Sequence, residues 1–310
     1  MISLKALSIP NGHYIVAVSG GVDSIVLLNL LINRSRQLDA DATHDPGRLR
    51  LTVAHYDHGI RPDSEADRLF VQQQAEAYGL PFVFDAGNLG PDCSEALARE
   101  KRYEFLHKIV QITGADGIMT AHHNDDVLET AIINMLRGTG HRGLASLKST
   151  DKLIRPLLDI PKQDLIAYAK KYELSWREDS TNEDETYLRN YVRRQLMPKM
   201  TAAHRQELMK HIQSTAKQRQ VIDAELQDLL QRHTKQGIMS RKWFIGLPQI
   251  VAQAIMVDWL KLHGASYDKQ RITKLVVAAK TLTKGKIVDI DNRYIMAIER
   301  DNLALKTRER

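Results

Sequence analysis

Several short stretches of this sequence place polar and charged residues at spacings that can do chemistry. In SGGVDS (19–24), Ser19, Gly20 and Gly21 let the backbone approach an anion closely, and Val22, Asp23 and Ser24 open the segment that follows. Amide N–H groups at such a turn, backed by the positive end of a helix dipole, cradle phosphate. The lysine of a GxxxxGK[ST] loop is absent, and a plain strand-to-helix turn capped by Asp23 or Ser24 is the simpler alternative. In AHHNDDVLET (121–130), His122, Asp126 and Glu129 stand at i, i+4 and i+7, which predicts one shared helical face. Two carboxylates there can bind an ammonium group, hold a divalent ion or move protons. Asp125 and Asp126 would equally complement a helix N-terminus by position alone.

HYDHGIRPDSEAD (55–67) offers His55, Asp57 and His58 as metal ligands. With His122 and Asp126 they would sketch a dinuclear site. Arg61 suits a phosphate or sugar oxygen instead. In SEALAREKRYEFL (94–106), Arg99 and Arg102 lie three apart, fit to clamp a phosphate or an adenylate. YLRNYVRRQLMPKM (187–200) sets Arg189, Arg193 and Arg194 among Tyr187 and Tyr191, the composition of a nucleic-acid contact surface. A solvated basic helix is the alternative there.

The elements that must position these residues alternate. Strands are predicted at 13–19, 51–57, 81–86 and 116–122, and helices at 24–35, 64–79, 94–114 and 124–138. Gly79 stops the second helix and Ser94 caps the third. This spacing predicts a parallel sheet with helices on both faces, an α/β fold. Ligands bind at the strand ends of such sheets, so Ser19, Tyr56 and His122 should converge on one crevice. After Pro156 the pattern changes to a helix at 161–173, a polar loop at 176–185 and a basic, mostly helical stretch at 186–235. Two further helices and β-like runs at 286–290, 294–298 and 303–306 then suggest a small mixed α/β domain.

The net charge of +6 hides a split. Residues 1–185 carry 20 Lys and Arg against 27 Asp and Glu; the remainder carries 24 against 11. An acidic front and a basic back suggest small-molecule chemistry in one place and polyanion binding in another. The one cysteine, Cys93, excludes a disulfide framework and a four-cysteine zinc site. No apolar run approaches the roughly 20 residues of a membrane span, and no signal peptide is recognisable, so a cytoplasmic protein is expected.

Taken together, SGGVDS, HYDHGIRPDSEAD, AREKRYEFL, AHHNDDVLETAIINMLRGTGHRGL, IRPLL and WREDSTNEDETYLRNYVRRQLMP resemble the tRNA(Ile)-lysidine synthases, a family of PP-loop ATP pyrophosphatases. The first string is shared by PP-loop enzymes in general; the RGTGHRGL continuation and the last block discriminate further. The resemblance implies a PP-loop, Rossmann-like (adenine nucleotide alpha hydrolase-like) catalytic domain at 1–200, a basic helical linker at 201–235 and a small tRNA-binding domain at 236–310. It also implies a C–N ligase that joins lysine to the wobble cytidine of an isoleucine tRNA, releasing AMP and pyrophosphate and switching codon reading from AUG to AUA. By the same resemblance, Ser19, Gly20, Gly21, Val22, Asp23 and Ser24 hold ATP, with Asp23 near Mg²⁺. Asp126 and Glu129 grip L-lysine, Arg102 (or Arg99) stabilises charge during adenylation, and His122 and Asp57 line the site. Arg189, Arg193 and Arg194 address the tRNA, and a homodimer would add tRNA contacts.

Three other readings compete, one of them a non-catalytic RNA-binding module, against which the intact phosphate loop with facing carboxylates argues. A tRNA 2-thiolation enzyme of the same superfamily needs cysteines that this chain lacks. A metal-dependent phosphohydrolase built on His55, Asp57, His58, His122 and Asp126 leaves SGGVDS unexplained.

Overall fold

The β-branched run after Asn11 forms strand β1 (Gly12–Ala17), and its alternation sets the layers around it. Tyr14, Val16 and Val18 enter a core with helix α1 (Val22–Asp41), whose residues from Ile25 to Ile32 are buried except at Asn29. Ile15 points the other way, to Phe105 and Leu106 of α3 (Glu95–Thr113). The structure is a computed structural model that describes residues 2, 7, 9–41, 48–59, 64–87, 89–90, 93–139, 143–177 and 188–308. It divides into two compact units, residues 1–215 and 216–310.

In the first unit β1 is flanked by β2 (Leu49–Asp57) and β4 (Gly117–Met119), with β3 (Phe82–Ala86) and β5 (Leu153–Ile154) outside them. The order is β3-β2-β1-β4-β5, and every pairing is parallel. The connections from β1 therefore leave in opposite directions, to β2 on one side and later to β4 on the other. A crevice opens at the carboxyl ends of strands where the order reverses in this way. Helices α2 (Ser64–Ala77) and α5 (Lys162–Lys171) join α1 on one face, through Val71, Ala75, Leu165 and Ala169. Ser94 caps α3 by accepting from the Leu97 amide at 3.2 Å, and Gly114 ends it at φ 63°.

Helix α4 (Asn124–Leu136) has its own small core. Val127, Leu128 and Ala131 pack on Val192 and Met197, and on Met209 and Ile212 of α7 (Ala202–Arg232). Between them lie α6 (Leu188–Tyr191), a π-helical turn at Val192–Leu196 and a tight turn at Met197–Lys199. The second unit is an antiparallel sheet of β6 (Thr234–Lys235), β7 (Ile238–Ser240), β8 (Lys286–Asp289), β9 (Tyr294–Ile298) and β10 (Asn302–Thr307), in the order β6-β7-β10-β9-β8. It encloses a core with α8 (Arg241–Ile245), α9 (Gln249–Leu262) and α10 (Lys269–Thr281), centred on Phe244, Trp259 and Met296. Among the described residues no helix is long and apolar enough to cross a membrane.

Three expectations need correction. The fourth strand ends at Met119, so Thr120 to His123 form the turn into α4 rather than strand or helix. Strands β5, β6 and β7 were not expected, because two or three residues are too few to display an alternation. Among the described residues after α7 there are three helices and not two, the additional one being the short Arg241–Ile245. Most of the polar loop at 176–185 lies outside the described residues, as do Arg61 and Tyr187.

Candidate active site

The turn from β1 into α1 is organised by one buried hydroxyl. Ser24 Oγ accepts from the amides of Ser19 and Gly20, both at 3.2 Å, and donates to the Gly21 carbonyl at 2.9 Å. Gly20 sits at φ 96°, a conformation that strains any residue with a Cβ. The Arg177 amide donates to the Gly20 carbonyl at 3.0 Å, and the Arg177 guanidinium pairs with buried Asp67 of α2. The loop is thus fixed from within by Ser24 and from outside by the chain that follows α5.

A cavity of about 380 Å³ opens over this loop. Ser19, Gly21, Asp23 and Ser24 form one wall, Asp57 and its neighbours at the end of β2 another, and Arg102, His122 and Asp126 a third. Val18, Ala54 and Leu106 supply apolar floor. The three motifs at the ends of β1, β2 and β4 therefore do meet.

Asp23 lies in the first turn of α1, and Lys162 Nζ reaches both of its oxygens at 2.6 Å. His123 Nε2 stands 3.5 Å from Asp23 and 3.6 Å from Asp126, so the two carboxylates face one imidazole. Burial opposes ionisation of Asp23, but His123 and Lys162 together hold its carboxyl below the usual range. Burial likewise works against a charged His123, and Asp23 and Asp126 outweigh it to raise its pKa. Asp126 also accepts from the His123 amide at 2.9 Å, which fixes its side chain at the start of α4.

His122 is not on the helical face with Asp126 and Glu129. It stands in the preceding turn, with Nδ1 2.8 Å from Thr120 Oγ1. Burial, then the charges of Arg155, Arg99, Arg102 and Arg189, push its pKa down to about 2, so the ring is neutral. Glu129 is placed behind the cavity wall. Its side chain is only 4% exposed, and Arg193 grips both oxygens, Nε at 2.8 Å and Nη2 at 2.9 Å. Arg193 Nη2 is also 3.6 Å from Asp126. The expectation that Arg193 projects from a basic surface is therefore corrected: its guanidinium is turned inward onto α4. Arg189 and Arg194 are half-buried on the same short segment, and Arg102 and Arg99 stack over the Tyr103 ring.

The dinuclear metal set is not assembled. His55 Nδ1 is 2.9 Å from the Val18 carbonyl and ties β2 to β1, and Asp57 Oδ1 accepts from the Gly59 amide at 2.8 Å. Among the described residues no three His, Cys, Asp or Glu side chains gather to hold a metal. Asp23, on the cavity wall beside the phosphate loop, fits instead the single carboxylate through which Mg²⁺ can be held when it arrives with phosphates and keeps its waters.

Lys162, Asp67, Arg177 and His123 were not singled out as site residues from the sequence. One signal was available for Lys162: a lysine directly after Pro161, in the first turn of α5, opposes the helix dipole and so breaks a local rule. The Asp67–Arg177 pair spans separate elements and gives no such signal.

Comparison with known proteins finds relatives in both sequence and fold. A family model described as the PP-loop domain matches residues 3–200. The U34-tRNA thiolase NcsA from Methanococcus maripaludis, solved with its [4Fe-4S] cluster, shares the fold at a TM-score of 0.56 and 20% identity, over 69% of this chain and 75% of that one. The tRNA(Ile)-lysidine synthase of Francisella tularensis subsp. holarctica is 30% identical over 312 residues, 95% of this chain and 73% of that protein. Those of Solibacter usitatus and Thermotoga maritima are 34% and 36% identical over 65% and 61% of this chain, which spans 44% and 45% of their length. The chain belongs to the tRNA(Ile)-lysidine synthase family of PP-loop proteins.

Proposed function

We propose that this protein uses ATP to join lysine to the wobble cytidine of an isoleucine tRNA, turning an AUG-reading anticodon into an AUA-reading one. The observation that carries this reading is the convergence of the phosphate loop and Asp126 on one cavity. One side of that cavity suits a triphosphate and the other an ammonium group.

The cytosine C2 oxygen is a poor leaving group, so it must first be activated. In the proposed reaction that oxygen attacks the α-phosphorus of ATP and displaces pyrophosphate. The lysine ε-amine then attacks C2, and AMP departs with the oxygen. The loop amides of Ser19 to Gly21 and the start of α1 hold the phosphates. Asp23 would hold Mg²⁺, which would supply neutralisation of phosphate charge. Asp126 faces the cavity and orients the ε-amine, whose ordinary pKa is about 10.4, then takes its proton. Glu129 acts behind Asp126 by holding Arg193, rather than by touching the amine. Arg102, at the cavity wall, offsets charge that builds during adenylation.

The test is incubation with radiolabelled lysine, ATP and an unmodified isoleucine tRNA transcript. Label should enter the tRNA only when ATP is present, with AMP formed in step. Label entering without ATP, or none entering at all, would overturn the reading.

A further inference from the structure

One contact at the phosphate loop stands against the use of that loop. Asp23, in the first turn of α1, lines the cavity, yet Lys162 Nζ donates to both of its oxygens at 2.6 Å. An ammonium placed there takes the same two oxygens through which a divalent cation would be held. The lysine is also in an unfavourable place for a cation. It occupies the first turn of α5, directly after Pro161, where positive charge opposes the helix dipole. A local rule broken in this way is characteristic of functional positions that the surrounding structure supports.

That support is present. Asp125 Oδ1 accepts from the Lys162 amide at 3.2 Å, and Asp125 Oδ2 accepts from Arg205 Nη1 of α7 at 3.1 Å. Arg205 Nη2 donates in turn to the Met197 carbonyl at 2.7 Å. The Asn124 amide donates to the Ile160 carbonyl at 3.0 Å, a second tie between the starts of α4 and α5. The Lys162 backbone is therefore pinned from α4, with α7 behind it. Its side chain is 33% exposed and keeps the flexible four-carbon stem that lets an ammonium move. The other group at Asp23 that can carry positive charge, His123, stands 3.5 Å away and is shared with Asp126. Lys162 is thus the nearer counter-ion of Asp23 and serves it alone.

We propose that Lys162 is a positioning residue that guards Asp23, so that a divalent cation reaches this carboxylate together with nucleotide phosphates and not alone. A bare metal ion at Asp23 would stand beside the ammonium, and like charges that close in a partly buried site repel strongly. A metal ion carried by a triphosphate belongs to a complex of net negative charge, which the same ammonium attracts. Lys162 then yields the Asp23 oxygens without leaving the site. The consequence is an order of loading: metal and nucleotide enter as one complex, and Asp23 stays matched until they do. The proposal rests on the ATP reading above, with Asp23 as the metal ligand.

Binding of Mn²⁺, followed by loss of the free-ion EPR signal at one fixed pH, tests this. Given Mn²⁺ alone, Lys162→Met should bind it about tenfold more tightly than the wild type, a gain that a merely damaged protein would not show. Lys162→Arg keeps the charge and should behave as the wild type; Lys162→Gln repeats the test if Lys162→Met does not fold. Adding Asp23→Asn to Lys162→Met should abolish the gain. With α,β-methylene ATP present, which cannot release pyrophosphate, the advantage of Lys162→Met should vanish or reverse. Binding of Mn²⁺ alone no tighter than by the wild type overturns the proposal. So does a gain that survives Asp23→Asn, or one equally large with the analogue. If Asp23→Asn alone binds Mn²⁺ with the analogue as the wild type does, Asp23 is not the metal ligand, and the proposal falls with that assignment. The expected gain in a protein that ligates no lysine would refute the activity and leave the role of Lys162 standing.

Discussion

Among the described residues, eight of the nine buried polar or charged side chains fall in the first unit, and only Arg241 falls in the second. The two sets are satisfied differently. Arg241 donates to backbone carbonyls alone: Ala279 at 2.9 Å, Glu299 at 3.1 Å and Leu282. Two of those carbonyls close the end of α10, where a cation complements the helix dipole. In the first unit the buried carboxylates pair with side chains, Asp67 with Arg177 and Glu129 with Arg193. Asp67 and Arg177 line the cavity, and Glu129 with Arg193 stands behind its wall. A charge matched to carbonyls finishes a fold. Charges matched to one another at a strand end can be re-matched to a ligand, which is why the concentration of buried charge marks the site.

Breaking that contrast should be most visible at Asp126. Asp126→Asn is expected to reduce lysine incorporation about a thousandfold, the usual worth of a positioned proton acceptor, with ATP affinity within a fewfold of normal. Incorporation at the wild-type rate would remove Asp126 from the chemistry. In the second unit Arg241→Met should cost about 3 kcal/mol of stability by orphaning three carbonyls, seen in denaturant melts, while ATP binding persists. A variant that instead keeps its stability and loses ATP would reverse the comparison.

Arg193→Ala sharpens it from the other side. If Arg193 served only a basic surface, its loss would leave stability alone. Because it leaves Glu129 buried and unmatched, it should cost about 2–3 kcal/mol, less than a fully buried pair because Arg193 is partly exposed. Restoration of part of that loss by Glu129→Gln in the same chain would identify the pair as the cause. The smallest effect belongs to Asp291. Its carboxylate accepts from the amides of Ser266 and Arg293, both at 2.7 Å, and of Tyr294 at 2.9 Å. Slight burial opposes this, yet the three N–H groups hold its pKa below the ordinary aspartate value. A depressed folded pKa means stability present above that value and lost as pH falls through the lower folded one. The Tm gap between wild type and Asp291→Ala should thus be constant near neutrality and close in strong acid; a gap that widens there would contradict the linkage.

The first unit was readable from periodicity where its elements are long. The runs at β1 and β2, and the cap and stop of α3, are local properties of adjacent residues, and each lies within a few residues of its expected place. The candidate site was readable as a set of strings and only partly as geometry. Reading His122 onto the helix failed because helical spacing says nothing about where a helix begins, and His123 is the cap. Arg193 was read as a surface residue because charge composition does not record which way a side chain turns. The small core of Val127, Leu128, Val192 and Met197 turns it onto α4.

By itself the sequence determined the phosphate loop. Ser19, Gly20, Gly21 and Ser24 are adjacent in the chain, and the hydrogen bonds that shape the turn run between them, so its form is settled over a few residues. It also determined the sheet's alternation and the family to which the chain belongs. Tertiary structure alone decided which charges meet. Lys162 reaches Asp23 across 139 positions, and Arg193 reaches Glu129 across 64. No local preference encodes those pairs, because packing in two apolar cores is what brings their elements together. Only that packing turns two carboxylates of one motif into different parts, with Asp126 facing the cavity and Glu129 holding the arginine behind it.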